Sequence, residues 1–110
     1  MIETNAFLAA AKQAGMAEDE REELVGLLAA NPAAGVVMAG TGGCRKFRFK
    51  KPGTGKSGGY RVVTYFGGGD IPIILLTVFG KNDRANLTKA ERNALKVLVT
   101  RLDAELRKRR

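Results

Sequence analysis

Residues able to work on a charged substrate crowd into one stretch of this 110-residue chain. Between Thr41 and Lys81 stand Arg45, Lys46, Arg48, Lys50, Lys51, Lys56, Arg61 and Lys81, eight of the nineteen basic residues, against a single acid, Asp70. Lysine offers a compact ammonium, and arginine a planar fork of donors that grips a phosphate through two bonds at once. The first forty residues carry two basic and six acidic groups, whereas the last twenty-nine carry nine and four. The formal charge of +8 is therefore built in the middle and at the end of the chain. A basic patch on a rigid platform suits a polyanion, although charge also keeps small proteins in solution, and composition leaves both open.

Other chemistries have little to work with. The chain has no histidine and one cysteine, Cys44, so neither a zinc site nor an intramolecular disulfide is expected. Gly53, Gly55 and Gly58 spell GxGxxG, but a strand rather than a helix follows, and no dinucleotide site is implied. Gly55-Lys56-Ser57 imitates the end of a phosphate-binding P-loop, yet the glycine needed five residues earlier is Lys50. Five Phe, two Tyr and no Trp leave few surfaces for base stacking. The N-terminus shows no basic-then-apolar signal and no run approaches a membrane span, which leads to the expectation of a cytoplasmic protein.

The elements that must position these cations follow from hydrophobic periodicity. One domain of 110 residues is expected. Met1 to Thr4 reads as a short edge strand. A helix capped by Thr4 or Asn5 runs to about Gly15, with Phe7, Leu8 and Ala11 on one face. A second helix spans about Ala17 to Ala30. Its stripe is Leu24, Leu27 and Leu28, with Glu20, Arg21 and Glu23 toward water, and Asn31-Pro32 ends it.

The turn Gly40–Gly43 feeds a strand from Cys44 to Lys50. Phe47 and Phe49 point to the core there, while Lys46 and Arg48 point to the opposite, solvent side, with Cys44 incidental among them. A glycine-rich loop carrying Lys56 leads to a strand from Tyr60 to Phe66, whose faces the pattern does not assign. After a hairpin loop at Gly67–Asp70, Ile71 to Phe79 reads as a central strand buried on both sides. A C-terminal helix opens with Thr88 and Glu91 as a capping box, and packs Ala94, Leu95, Leu98, Val99, Leu102 and Leu106 on the sheet.

Four blocks resemble a known family: NPAAG at 31–35, GTGGCRKFRF at 40–49, GKSGGYRVVTYF at 55–66 and LLTVFGKND at 75–83. Their order and spacing are similar to the HigB-type branch of the RelE/ParE toxin superfamily. The resemblance implies an α+β fold, two N-terminal helices packed on a small twisted, mostly antiparallel sheet, plus a C-terminal helix. It implies the toxin of a type II toxin–antitoxin pair that cuts mRNA in the ribosomal A site. The partners implied are the 30S ribosome, its mRNA and a cognate antitoxin with a helix-turn-helix domain, through which operator DNA is reached indirectly.

Such a reaction needs no cofactor or metal, because the RNA 2′-hydroxyl is an internal nucleophile. The enzyme must align it, take its proton, stabilise the developing phosphorane charge and protonate the leaving 5′-oxygen. Without histidine, lysine is the available proton carrier, since crowded cations disfavour one another's charged forms; arginine suits charge stabilisation. By the resemblance, Lys46 and Arg48 take phosphate contact or base duty, Arg61 stabilises the transition state, and Lys81 lies near the cut phosphate. Arg45, Lys50 and Lys56 are expected to contact RNA. Phe79 stands where relatives often carry tyrosine, and no tyrosine follows Tyr65, so a tyrosine acid or base would have to be Tyr60 or Tyr65. The alternatives are a ParE-like gyrase inhibitor without catalysis and a basic nucleic-acid-binding domain without turnover.

Overall fold

The computed structural model describes residues 1–50, 59–80 and 87–108. In chain order the elements are β1 (Ile2–Glu3), α1 (Asn5–Gln13), α2 (Glu18–Ala30), β2 (Val36–Val37), β3 (Cys44–Phe49), β4 (Tyr60–Tyr65), β5 (Ile74–Gly80) and α3 (Lys89–Lys108). The strands form one sheet in the order β1-β5-β4-β3-β2. The β1–β5 pair is parallel and the other three pairs are antiparallel. This is the expected α+β architecture, with one addition: the helices take opposite faces of the sheet.

On one face, Phe7 and Ala11 of α1 and Leu24 and Leu28 of α2 meet Phe49, Val62, Leu75 and Val78. Phe7, Leu24 and Leu28 are completely buried, and each such side chain contributes about 1.5–3 kcal/mol through area removed from water. Thr4 starts α1 as anticipated, accepting from the Phe7 N–H at 3.1 Å. Its hydroxyl also donates to the Leu75 carbonyl at 2.8 Å, which fastens the helix start to β5. At the head of α2 the Glu20 carboxylate accepts from the Ala17 N–H at 2.8 Å.

On the other face, Val99, with Leu95, Leu102 and Leu106, brings α3 onto Cys44, Val63, Ile74 and Leu76. The helix opens with the capping box read from the sequence. The Thr88 N–H donates to Glu91 at 2.8 Å, and the Glu91 N–H to the Thr88 hydroxyl at 3.1 Å. Its far end is latched to β4. The Tyr65 hydroxyl donates to Asp103 at 3.0 Å, Arg107 donates to the same carboxylate at 2.6 Å, and Arg107 also reaches the Gly67 carbonyl.

Several expectations are corrected. Cys44 is fully buried beneath α3, so its face of β3 is not uniformly solvent-facing. Leu27 and Leu98 are 41% and 40% exposed, because each helix meets the sheet along a narrower line than its apolar stripe. Glu20 does not simply face water, since it also takes the Tyr60 hydroxyl. β5 begins at Ile74 rather than Ile71, although it is an interior strand between β1 and β4, buried on both faces as expected. The short strand β2 was not anticipated.

One irregularity shapes the site. Val63 pairs with Thr77 but Thr64 pairs with Leu75, so Leu76 has no residue opposite it. A bulge of this kind reverses the inward–outward alternation beyond it. As a result Phe79, not Val78, lies on the Arg61 face of the sheet.

Candidate functional site

The faces of β4 that the sequence left open are settled by the register. Arg48 stands directly opposite Arg61, and Arg61 in turn opposite Phe79. Residues paired across an antiparallel ladder share a face, with Cβ atoms roughly 4.5–5.5 Å apart. Lys46, two residues back along β3, lies on that face as well, about 6.7 Å from Arg48 along the strand. Three cations thus occupy one face, beyond the end that α3 covers at Cys44 and Tyr65. Arg48 is exposed, while Lys46 and Arg61 are half-buried. Lys50, just past the end of β3, is exposed.

Two like charges held across a ladder repel. Ion pairs join Arg21 with Glu3 and Arg107 with Asp103, and among the described residues none is seen to Arg48 or Arg61. An anion lying between the two forks would remove the repulsion and receive several charge-assisted bonds.

Arg45 is placed differently. It points to the opposite face, where its guanidinium donates to the carbonyls of Ala33 at 3.3 Å and Gly35 at 3.4 Å. It braces the segment before β2 rather than joining the three cations. Lys56 and Lys81 lie outside the described residues.

Both tyrosines are committed elsewhere. Tyr60 is on the α2 face, and its hydroxyl donates to the two Glu20 oxygens at 3.0 and 3.2 Å. Tyr65 shares the face of Arg61 but is four residues away, roughly 13 Å along the strand, and it is bonded to Asp103. Burial first, then the neighbouring carboxylate, raises the pKa of each phenol: Glu20 for Tyr60 and Asp103 for Tyr65. Neither is suited to give up its proton at neutral pH. Cys44 is no candidate nucleophile either, because burial pushes its thiol up to about 11, only partly opposed by a hydrogen bond involving Thr41. Among the described residues no group of three His, Cys, Asp or Glu could hold a metal ion, and no helix is long and apolar enough to cross a membrane.

The sequence pattern missed two contributors to this face. Phe79 arrives there only through the bulge, which no periodicity signals. Val36 and Val37 form β2 beside Lys46 and Arg45, and two residues are too few to show a period of two. The glycine before them was a usable signal. Gly35 has φ +93°, and a Cβ there would stand 2.4 Å from the Lys46 carbonyl oxygen, so only glycine lets this segment lie flat on β3.

A family model described as the RelE toxin of the RelE/RelB toxin–antitoxin system matches residues 3–109. The match runs through every element of the fold, and it brings with it a toxin role and an antitoxin counterpart. The chain belongs to the RelE toxin family.

Proposed function

We propose that this toxin is a ribosome-dependent mRNA endonuclease of the HigB-type branch, cutting the A-site codon by attack of an RNA 2′-hydroxyl on the adjoining phosphorus. The observation that carries the reading is the cross-strand pair of Arg48 and Arg61, like-charged, without a carboxylate among the described residues, and sharing its face with Lys46. A phosphodiester entering between the two forks neutralises their repulsion. Its nonbridging oxygens gain charge in the transition state, and Arg61, half-buried and therefore more strongly felt, stabilises that charge. Lys46 contacts the same phosphate or takes the 2′-hydroxyl proton. The new bond joins the 2′-oxygen to phosphorus, the bond from phosphorus to the 5′-oxygen breaks, and a proton passes to that leaving oxygen. The products are a 2′,3′-cyclic phosphate and a 5′-hydroxyl. The exposed Lys50 extends the cationic track along the message, with Lys56 and Lys81 as further contacts.

Membership of a toxin family supports this reading, as does the charge distribution. Arg45, turned to the opposite face and bonded to the Ala33 and Gly35 carbonyls, is given no contact with the cut phosphate in this reading. The test is to incubate the protein with ribosomes programmed with a defined message and map the 5′ ends produced. Cuts within the A-site codon and a cyclic phosphate terminus are expected, and an intact codon would overturn the proposal. A parallel supercoiling assay with gyrase is expected to show no inhibition.

A further inference from the structure

The Lys46 face carries one feature that phosphate contacts do not use. Val36 pairs directly with Lys46 and therefore projects from the same face, at the outer edge of the sheet. It is 63% exposed, and among the described strand residues it is the only large apolar side chain on that face more than half open to solvent. Its position relative to the cations is set by the ladder. Arg48 is its diagonal neighbour, roughly 7–8 Å away. That is comparable with the reach of a nucleotide from its phosphate to its base.

The placement is set by the ladder. The absence of a Cβ at Gly35 lets the chain approach the Lys46 carbonyl closely, and valine, branched at Cβ, has little freedom about its first torsion. A stiff apolar shelf beside a phosphate grip is what a nucleobase requires of a protein that offers few aromatic rings. Extension of the sheet by a partner strand is the competing use of such an edge. With only two residues in β2, the edge offers few main-chain bonds to a sixth strand.

Resting on the reading of this face as the RNA-cleaving site, we infer that Val36 is the base-contact residue, seating the nucleobase next to the phosphate held by Arg48 and Arg61. Val37 supplies an internal control. It is adjacent and 56% exposed, but it pairs with Arg45 on the other face.

The experiment measures steady-state cleavage on programmed ribosomes by the parent, Val36→Ser, Val36→Ile, Val37→Ser and Arg61→Ala. The message is either intact or made abasic at each A-site nucleotide in turn. On the intact message Val36→Ser raises KM about fivefold with little change in kcat, Val36→Ile matches or improves on the parent, and Val37→Ser changes neither constant. At one abasic position the Val36→Ser penalty shrinks to less than about twofold, as a double-mutant cycle requires of a direct contact. Equal effects of Val36→Ser and Val37→Ser, or a Val36→Ser penalty that persists on every abasic message, would overturn the inference. If those results come with an inert Arg61→Ala, only the inference falls. An Arg61→Ala protein that cuts normally takes down the cleavage-site reading as well.

Discussion

Replacing Arg61 with alanine is expected to lower activity while leaving stability unchanged or raised, a combination that separates a functional cation from a structural one. Arg61 and Arg48 are direct cross-strand partners with no carboxylate of the described residues between them. Two unit charges about 6 Å apart repel by about 0.7 kcal/mol at the dielectric of water, within the roughly 0.2–1 kcal/mol spanned by cross-strand pair effects. The substitution relieves that repulsion but removes the aliphatic stem of Arg61, which lies across the ladder from Phe79. The two effects oppose, so the variant should melt at the parent's temperature or up to about 3 °C above it. Salt discriminates further. At 1 M ionic strength the screening length falls to about 3 Å, so the gain from relieved repulsion should disappear and leave only the loss of the stem. Loss of a preorganised donor to the phosphorane is expected to cost about 2.7–4 kcal/mol of barrier, or a factor of about 100–1,000 in kcat. Lysine at the same position should recover part of this, as a point charge without the fork. Single-turnover cleavage on programmed ribosomes and thermal unfolding at two salt concentrations are the assays. A variant that cuts normally would refute the assignment, and one that melts more than about 5 °C lower would show that Arg61 holds the sheet together.

Three further outcomes follow from the same structure. The Asp103 carboxyl is held below its usual range, chiefly by the hydrogen bond from Arg107. A depressed folded-state value means that its contribution is complete above an unfolded pKa of about 3.9 and is lost as pH falls through the lower folded value. Asp103→Asn should therefore flatten the acid limb of stability against pH, and at pH 7 it should cost about 1 kcal/mol in urea unfolding through the weakened α3 latch. Cys44, buried and with its thiol raised to about 11, should resist iodoacetamide in the native protein at pH 8 and react readily once unfolded, as mass spectrometry would read. Gly35→Ala places a methyl group 2.4 Å from the Lys46 carbonyl at φ +93°. It should destabilise by about 2 kcal/mol or more in denaturant titration, with amide exchange accelerating first along β2.

What could be read in advance was whatever local chemistry specifies. Thr4 and Thr88 announced helix starts because a side-chain oxygen three residues ahead of an amide is a local device, and both hydrogen bonds are present. Phe47 and Phe49 assigned the faces of β3 by simple alternation, and the four resembling blocks carried the order of the elements. Contacts between distant residues were not legible in this way. The partners of Tyr60 and Tyr65 are 40 and 38 residues away, so nothing near them signalled that their hydroxyls were already committed. Leu76 looks like one more apolar residue in a run, although its lack of an opposite residue decides that Phe79 joins Arg61. Cys44 sits among cations in sequence, yet the fold covers it with a helix more than forty residues downstream. For the site, the pairing of Arg48 with Arg61 depended on a register that neither strand encodes alone.

The division of labour between the two faces narrows the chemistry. The phenols, which might have moved protons, are used to fasten helices: Tyr60 holds α2 through Glu20, and Tyr65 holds α3 through Asp103. The only thiol is buried, and the chain has no imidazole. Among the described residues, the carboxylates of Glu20 and Asp103 are already accepting from Tyr60, Tyr65 and Arg107. The Lys46 face therefore presents cations, and in the cleavage reading it works mainly by holding the phosphate in line and stabilising charge on it, with proton removal left to a lysine. A catalyst of this kind depends on its substrate being positioned for it. Delivery of a single codon in a fixed conformation by the ribosome would supply the alignment that these side chains cannot enforce alone.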